Sequence, residues 1–264
     1  MFVSVITVCY NERKTIRKTM MSVLNQTTDK YEYIICDGGS NDGTVDIIKE
    51  VIEQNKGGKI NIVLKSEKDG GIYYGMNNGI SLANGTHCLF INAGDVIYDE
   101  KVLDDVINSN VEDNVVVYGD CVFLEKEVQK KVIGDDTKLL STMSVSHPAV
   151  FIPLLSMKKR AYDTSFRIAA DYEYLVYLKM NNLKFYHIDR VISLFSFGGV
   201  CTTQYQNSIM ERCAIWEKYG ISYDIRKERQ AAKREVMISN FKNRIPKNIW
   251  LFYNKIIRKR TIGR

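Results

Sequence analysis

About four times within the first 100 residues, a short apolar run ends in a polar loop and is followed by apolar residues at helical spacing. This alternation constrains the fold more than any other feature, because consecutive parallel strands need crossover helices and those crossovers are right-handed. Phe2 to Val8 reads as a first buried strand, then a polar turn Tyr10-Asn11-Glu12, then a helix with Ile16, Met20, Val23 and Leu24 on one face. Tyr31 to Cys36 reads as the second strand. It opens into Asp37-Gly38-Gly39-Ser40-Asn41-Asp42-Gly43-Thr44, a loop rich in turn formers, and a helix with Val45, Ile48 and Ile52 facing inward. Ile60 to Leu64 is a third strand, followed by Ser66-Glu67-Lys68-Asp69-Gly70-Gly71 and a helix from about Tyr73 to Ala83. His87 to Ile91 is the fourth, ending at Asn92-Ala93-Gly94-Asp95. The prediction is an α/β fold built on a doubly wound, mostly parallel sheet.

In such a sheet the loops after parallel strands lie along one edge, so Asn11, Glu12, Asp37, Asp69 and Asp95 should converge although they are distant in sequence. The chain has no G-x-x-x-x-G-K-[ST], and Gly38, Gly39 and Gly43 do not match G-x-G-x-x-G, which disfavours a P-loop and a dinucleotide fingerprint. A phosphorylated ligand at an acidic edge needs a cation, and Asp95 is placed to hold a divalent metal. Each acidic residue also has a plainer reading: Asp37 can start a turn and Asp42 can cap the following helix.

Past Asp99 the alternation loosens. Leu103 to Ile107 continues a short helix, and Val115 to Tyr118 and Val128 to Ile133 read as strands. A helix begins near Ala169-Ala170-Asp171, putting Asp171 in its first turn, where a carboxylate favours the helix N-terminus. His147 stands in a motif-like setting before Pro148, whereas His87 and His187 sit in strand-like runs and read as packing residues. The six cysteines are scattered with no C-x-x-C pair and read as buried, reduced thiols.

Charge is unevenly placed. Arg226 to Arg264 holds 13 Lys or Arg against Glu228 and Glu235, a local net of +11; the whole chain is +6, so the first 225 residues sum to −5. Trp250, Leu251, Phe252, Tyr253, Ile256 and Ile257 interleave with Lys247, Lys255, Arg258, Lys259 and Arg260, which suits a helix on the inner, anionic face of the cytoplasmic membrane. The acidic body and the lack of a basic aromatic face outside this tail argue against nucleic acid. With no basic leader before an apolar stretch at Met1 and no apolar run of membrane-spanning length, the expected location is cytoplasmic, peripheral on the membrane through the tail.

Thr7-Val8-Cys9-Tyr10-Asn11-Glu12, Ser22 to Thr27 and Tyr33 to Thr44 together resemble the opening of the family 2 glycosyltransferases. The likeness continues through Ser66 to Tyr73, Met76-Asn77, Ser146 to Phe151, Arg167 to Glu173 and Phe197 to Val200, covering about the first 205 residues in order. Within that family the chain is most similar to bacterial enzymes of O-antigen, capsule and colanic-acid assembly, the WfgS-like and WcaE-like enzymes included. The resemblance implies a GT-A fold. Residues 1–99 would form the nucleotide-sugar-binding half, 100–205 the acceptor-binding and catalytic half, and 206–264 a helical, basic C-terminal region.

The resemblance also implies roles. Asp37 would read the nucleotide base, Thr7, Tyr10 and Glu12 would line base and ribose, and Asp69 with Asn77 would close the nucleotide pocket. Ala93 and Gly94 would lie against the donor, Asp95 would hold Mn²⁺ or Mg²⁺, and Asp171 would be the general base. The family's metal motif is usually Asp-x-Asp followed by another acid, and Asn92-Ala93-Gly94-Asp95 keeps only the last carboxylate. Read from the residues alone, Gly198-Gly199-Val200-Cys201-Thr202-Thr203 suits a loop that orders over bound donor, or a simple turn of the chain. The expected activity is inverting transfer from a nucleotide-sugar, a UDP-hexose or GDP-fucose, to a lipid-linked oligosaccharide. The other reading is a nucleotide- or anionic-surface-binding module that no longer catalyses.

Overall fold

The computed structural model describes residues 1–125, 128–196, 205–222, 224 and 230. Four parallel strands form its first half: β1 (Val3–Cys9), β2 (Tyr31–Asp37), β3 (Ile62–Ser66) and β4 (His87–Phe90), connected by helices α1 (Ile16–Leu24), α2 (Thr44–Gln54) and α3 (Ile72–Leu82). The remaining described elements are β5 (Val96–Ile97), α4 (Val102–Ile107), β6 (Val116–Glu125), β7 (Val128–Val132), β8 (Val150–Pro153), α5 (Leu154–Lys159), α6 (Ala170–Met180), β9 (Phe185–Ser196) and α7 (Tyr205–Lys218).

The strands join in one sheet of order β3-β2-β1-β4-β8-β6-β9-β5, with β7 paired to β6. Strand β8 runs antiparallel between β4 and β6, while β6 and β9 are parallel to each other. The sheet is therefore mostly parallel, with β8, β7 and β5 running against their neighbours, which the periodicity of the second half did not reveal. Strands β5, β8 and β9 are short or irregular apolar runs, and such runs carry no period that separates strand from buried helix.

Side chains alternate across the sheet. Val3, Val5 and Cys9 of β1 pack with Ile16, Met20 and Val23 of α1 and Ile48 and Val51 of α2, while Ile6 and Val8 face α3 and α6 on the other side. Helix α1 has no side-chain cap at Thr15, a loss of ~1 kcal/mol. Its three fully buried apolar side chains, Ile16, Met20 and Val23, contribute ~1.5–3 kcal/mol each, so packing decides that it forms. Helix α3 sits unusually close to β1. A Cβ at Gly75 would lie 2.6 Å from Val8 Cγ1, and one at Gly79 would lie 2.5 Å from Ile6 Cγ2. The two glycines are one turn apart and meet alternate residues of one strand.

Helix α7 belongs to this body, with Ile209, Cys213, Ile215 and Trp216 buried in the α3–α6 core. The expected boundary at residue 206 thus falls inside a packed helix. The basic stretch from Arg226, the Gly198-Gly199 loop and Cys201 lie outside the described residues, apart from Gln230. The other five cysteines are free and buried, as their apolar neighbours implied. Among the described residues no helix is long and apolar enough to cross a membrane.

The close approach of α3 gives a stability prediction. Gly79→Ala gains ~1 kcal/mol of helix propensity but overpacks a β-branched neighbour, at ~1–3 kcal/mol. The expected outcome is a lower urea midpoint with an unchanged slope.

Candidate active site

The C-terminal ends of β1 to β4 meet at one edge, and each is fixed there by side-chain hydrogen bonds to the next loop. Asp37, 2% exposed, closes β2. Its Oδ2 accepts from the backbone N–H of Gly39 and Ser40 and from Ser66 Oγ at the end of β3, and its Oδ1 accepts from Ser40 Oγ. Burial pushes this carboxyl up, but the bonds from Ser40, Ser66 and Gly39 outweigh it, leaving the pKa below the ordinary value. Asp37 is therefore first the anchor of its own loop, and its oxygens face donors from two strands.

The β1 loop is tied to the β2 loop. Asn11 adopts φ 55°, a left-handed conformation that Asn tolerates. Its N–H donates to Ser40 Oγ and its Oδ1 accepts from Asn41 N–H. Glu12 N–H donates to Thr44 Oγ1, and Glu12 Oε2 accepts from Thr15 Oγ1. Tyr10 is 61% exposed at this edge, so packing is not what it does; a flat, exposed aromatic beside a turn is suited to stack on a base. Thr7 does not present itself as expected. It is fully buried, donating to the Ile91 carbonyl and sharing a hydrogen bond with Tyr33 Oη. Position 7 lies one residue pair short of the strand end, and its side chain faces the α1 layer.

Asp69 is half-buried, accepts from Gly71 N–H, and lies against two glycines. A Cβ at Gly38 or Gly75 would come within 3.2 or 3.1 Å of its carboxylate oxygens. Those glycines leave room for the carboxylate between the β2 loop and α3. Asn77 is turned away from this mouth: its amide donates to the Tyr162 carbonyl and accepts from Tyr162 N–H, clamping that backbone. Its expected place at the nucleotide corresponds instead to a supporting role.

Ala93 N–H donates to the Val8 carbonyl, and Gly94 turns the chain at φ 102°. Thr19 of α1 pins the turn from below, accepting from Gly94 N–H and donating to the Asp95 carbonyl. Burial pushes the Asp95 carboxyl up to about 7, and the negative charge of Glu12 adds to the shift. Among the described residues no Lys or Arg pairs with Asp95, the charge of Glu12 acts on it, and the buried Oδ1 of Asn92 has no partner. Hard oxygen donors short of positive charge fit a divalent metal. No group of three or more His, Cys, Asp or Glu suited to a metal occurs among the described residues. Asp95, with Asn92 beside it, would then supply only part of a coordination shell that phosphates and water complete.

Asp171 is the second residue of α6. Its Oδ1 accepts from Tyr172 N–H at 2.9 Å and lies 2.9 Å from Tyr73 Oη, which is also 2.7 Å from the Ile168 carbonyl. No described residue donates to Oδ2. Tyr73 is the second residue of α3, two residues after Gly71, so it joins the donor-side loop directly to Asp171. Beneath them lies an aromatic cluster in which Tyr162 packs on Tyr73, Phe90 and Tyr174 with ring centroids 5.6, 5.6 and 5.3 Å away. His147 stacks on Phe90 and pairs with Tyr162 Oη at 2.9 Å. Burial lowers its pKa, so it is a neutral member of the core. His87 and His187 likewise bond within the body, to the Val115 carbonyl and to Asp120.

Sequence reading missed Thr19, Ser66 and Tyr162. Only Thr19 left a trace, as a polar residue on the apolar stripe of α1. A separate cleft of about 750 Å³ lined by Thr86, Asp113, Leu155, Lys158 and Lys184 opens at the opposite end of the strands and shares none of these residues.

The Asp95 shift has a measurable consequence. Between the ordinary 3.8 and about 7 the native state holds a proton that the unfolded chain releases, so this group's stabilisation falls as pH rises through that window. In metal-free protein, Asp95→Asn should remove that decline, making the variant gain on wild type from about pH 4 to about pH 7 in denaturant titrations.

Comparison with known proteins bears on the fold and the family. A PGL/p-HBAD biosynthesis glycosyltransferase of Mycobacterium bovis is 27% identical over 224 residues, covering 83% of this chain and 86% of that protein. Among solved structures, Staphylococcus aureus TarS superposes with a TM-score of 0.61 at 17% identity, covering 80% of this chain and only 39% of that one. Shorter TarS structures hold UDP or UDP-GlcNAc. A mannosyltransferase of Pyrobaculum calidifontis, in complex with GDP-Man and Mn²⁺, superposes with a TM-score of 0.66 at 13% identity over 97% of this chain and 79% of that one. These likenesses show the expected GT-A architecture. The family model for glycosyl transferase family 2 matches residues 4–153, more than half of the chain, and the protein therefore belongs to that family and is a glycosyltransferase.

Proposed function

We propose that this glycosyltransferase inverts the anomeric centre, moving a hexose from a UDP-sugar to a lipid-linked oligosaccharide during assembly of a cell-surface polysaccharide. The observation that carries the reading is Asp171: one oxygen is held by Tyr73 and Tyr172, and the other has no donor among the described residues. A carboxylate fixed at one oxygen and open at the other is suited to accept a proton from an acceptor hydroxyl. Direct displacement needs that base on one side of the sugar and charge stabilisation for the leaving nucleoside diphosphate on the other. A divalent ion at Asp95 supplies the second requirement when bound.

The donor side of this reading assigns the base and ribose to the β1 and β2 loops, with Tyr10 stacking and Glu12, Asp37 and Asp69 framing the mouth. Ala93 and Gly94 let the donor approach the backbone, since a Cβ at Gly94 would meet nothing within 4 Å. The nucleotide-sugars held by TarS and the Pyrobaculum mannosyltransferase support the donor class. The retention of one carboxylate in Asn92-Ala93-Gly94-Asp95 favours, as the second reading, a module that binds nucleotide without transfer.

Calorimetric titration with UDP, GDP and dTDP, each with Mn²⁺ and with chelator, separates the two. Metal-dependent binding of one nucleotide is expected, with Asp171→Asn retaining that binding and losing ~10²–10⁴-fold in turnover. Nucleotide binding without transfer to any lipid-linked acceptor favours the module, and no nucleotide binding by folded protein removes both.

The location belongs to the same proposal: the tail from Arg226 holds the cytoplasmic enzyme on the membrane where lipid-linked acceptors reside. At ~1 kcal/mol per basic residue near an anionic surface, truncation before Arg244 should release the protein from anionic vesicles in co-sedimentation. Equal partitioning of both forms removes the tail from the reading.

A further inference from the structure

Helix α6 starts without a cap of its own: its N-cap is Ala169, which has no side chain able to accept a hydrogen bond. The donors just ahead of it are nevertheless satisfied. Glu211, on α7, accepts from Arg167 N–H through Oε1 and from Ile168 N–H and Ala169 N–H through Oε2, each at 2.9 Å. One carboxylate brought from more than 40 residues downstream thus holds three consecutive backbone amides. Bonds of this kind to an ionised acceptor are roughly twice as strong as neutral ones, and a negative charge at a helix N-terminus is favourable in itself.

The segment it holds ends two residues before Asp171. From the opposite side Tyr73 Oη reaches the Ile168 carbonyl as well as Asp171 Oδ1. Beyond Asp171 the grip of α7 continues: Trp216 Nε1 donates to Tyr172 Oη, and Lys218 Nζ, with Tyr219 Oη one residue past the helix end, donates to Glu173 Oε1. Asp171 is therefore bracketed on both sides by one helix, while its own free oxygen stays clear of those contacts. The contacts differ in kind. Those at Tyr172 and Glu173 are side chain to side chain and anchor α7 to the core. Those of Glu211 are to the main chain, so they set where the α6 N-terminus begins and which way its first turn points.

We infer that Glu211 is a positioning residue for transfer, fixing the backbone of residues 167–169 so that the open oxygen of Asp171 faces the acceptor hydroxyl. The inference rests on Asp171 as the base. Glu211 touches neither donor nor acceptor, so its loss should lower kcat and leave donor binding alone. A misplacement on the order of 1 Å costs up to ~10²-fold in rate.

The test uses the full-length protein with Glu211→Ala, Glu211→Gln and Lys218→Ala, together with Asp171→Asn. Three readouts are taken: kcat and donor KM, donor affinity by calorimetry, and amide hydrogen exchange over residues 167–171. For Glu211→Ala, kcat should fall by ~10–100-fold, with donor KM and affinity within about twofold and faster exchange at residues 167–169. Glu211→Gln keeps one acceptor oxygen but turns an NH₂ toward the amides, so it should fall between Glu211→Ala and wild type. It also serves should the alanine variant not fold. Lys218→Ala loosens the other end of α7 and should lower the melting temperature while keeping kcat within about twofold.

Wild-type kcat in folded Glu211→Ala, or in folded Glu211→Gln if alanine does not fold, overturns the inference when Asp171→Asn is inactive. So does a fall in kcat that Lys218→Ala matches at equal loss of stability, since that would mark Glu211 as an anchor only. Wild-type turnover by Asp171→Asn instead overturns the assignment of the base, whatever the Glu211 variants do.

Discussion

Strand register is the constraint on which the site depends. In the parallel ladder Cys9 stands opposite Asp37 and Asp37 opposite Ser66, so β1, β2 and β3 end level with one another. Level ends put three loops into hydrogen-bonding reach, and the Asp37 carboxylate takes up that reach by accepting from its own loop and from Ser66 together. A slip of one residue would turn every side chain to the other face of the sheet. It would also bury Asp37 away from its donors. The buried alternation of Val3, Val5, Ile6 and Val8 between two helical layers is what prevents the slip.

A few directed contacts carry that edge to the rest of the site. Thr19 carries the position of α1 to the turn before Asp95, and Tyr73 carries the position of α3 to Asp171. Gly75 and Gly79 let α3 lie close enough to β1 for this, since the space a Cβ would need is held by Val8 and Ile6. The two acids proposed to do chemistry are kept different by their surroundings. The Asp95 carboxyl is raised by burial and by the neighbouring charge of Glu12, while Asp171 sits at a helix start where hydrogen bonds hold one oxygen.

The core beneath the site is aromatic and polar at once. Tyr162 is held by its backbone through Asn77 and by its hydroxyl through His147, and its ring meets Tyr73, Phe90 and Tyr174. The bonds through Asn77 and His147 fix the backbone and hydroxyl of Tyr162, although Tyr174 Oη in the same cluster has no hydrogen-bond partner among the described residues. Asn77, which the resemblance put at the nucleotide, and His147, which stood in a motif-like setting, both bond to Tyr162 in the floor under Tyr73 and Asp171. Thr7 serves the site in a similar way, by locking β1 to Ile91 and Tyr33.

The amino-acid sequence by itself determined the parallel half of the fold and the edge on which the site lies. Periodicity is local, and a strand followed by a polar loop and an amphipathic helix leaves few ways to fold. Asp37, Asp69 and Asp95 were legible for that reason, each being the acid that follows a strand. What only the tertiary structure decided is which side chains remain free at that edge. Thr7 is consumed by the neighbouring strand, Asn77 by Tyr162, and most of the capacity of Asp37 by Ser40 and Ser66. Tyr10 stays open, and Asp171 keeps one oxygen open. The insertion of β8 between β4 and β6, and the hold of Glu211 on residues 167–169, belong to the same class. Each joins groups tens of residues apart, and no local pattern of spacing records which distant donor a given acceptor will meet.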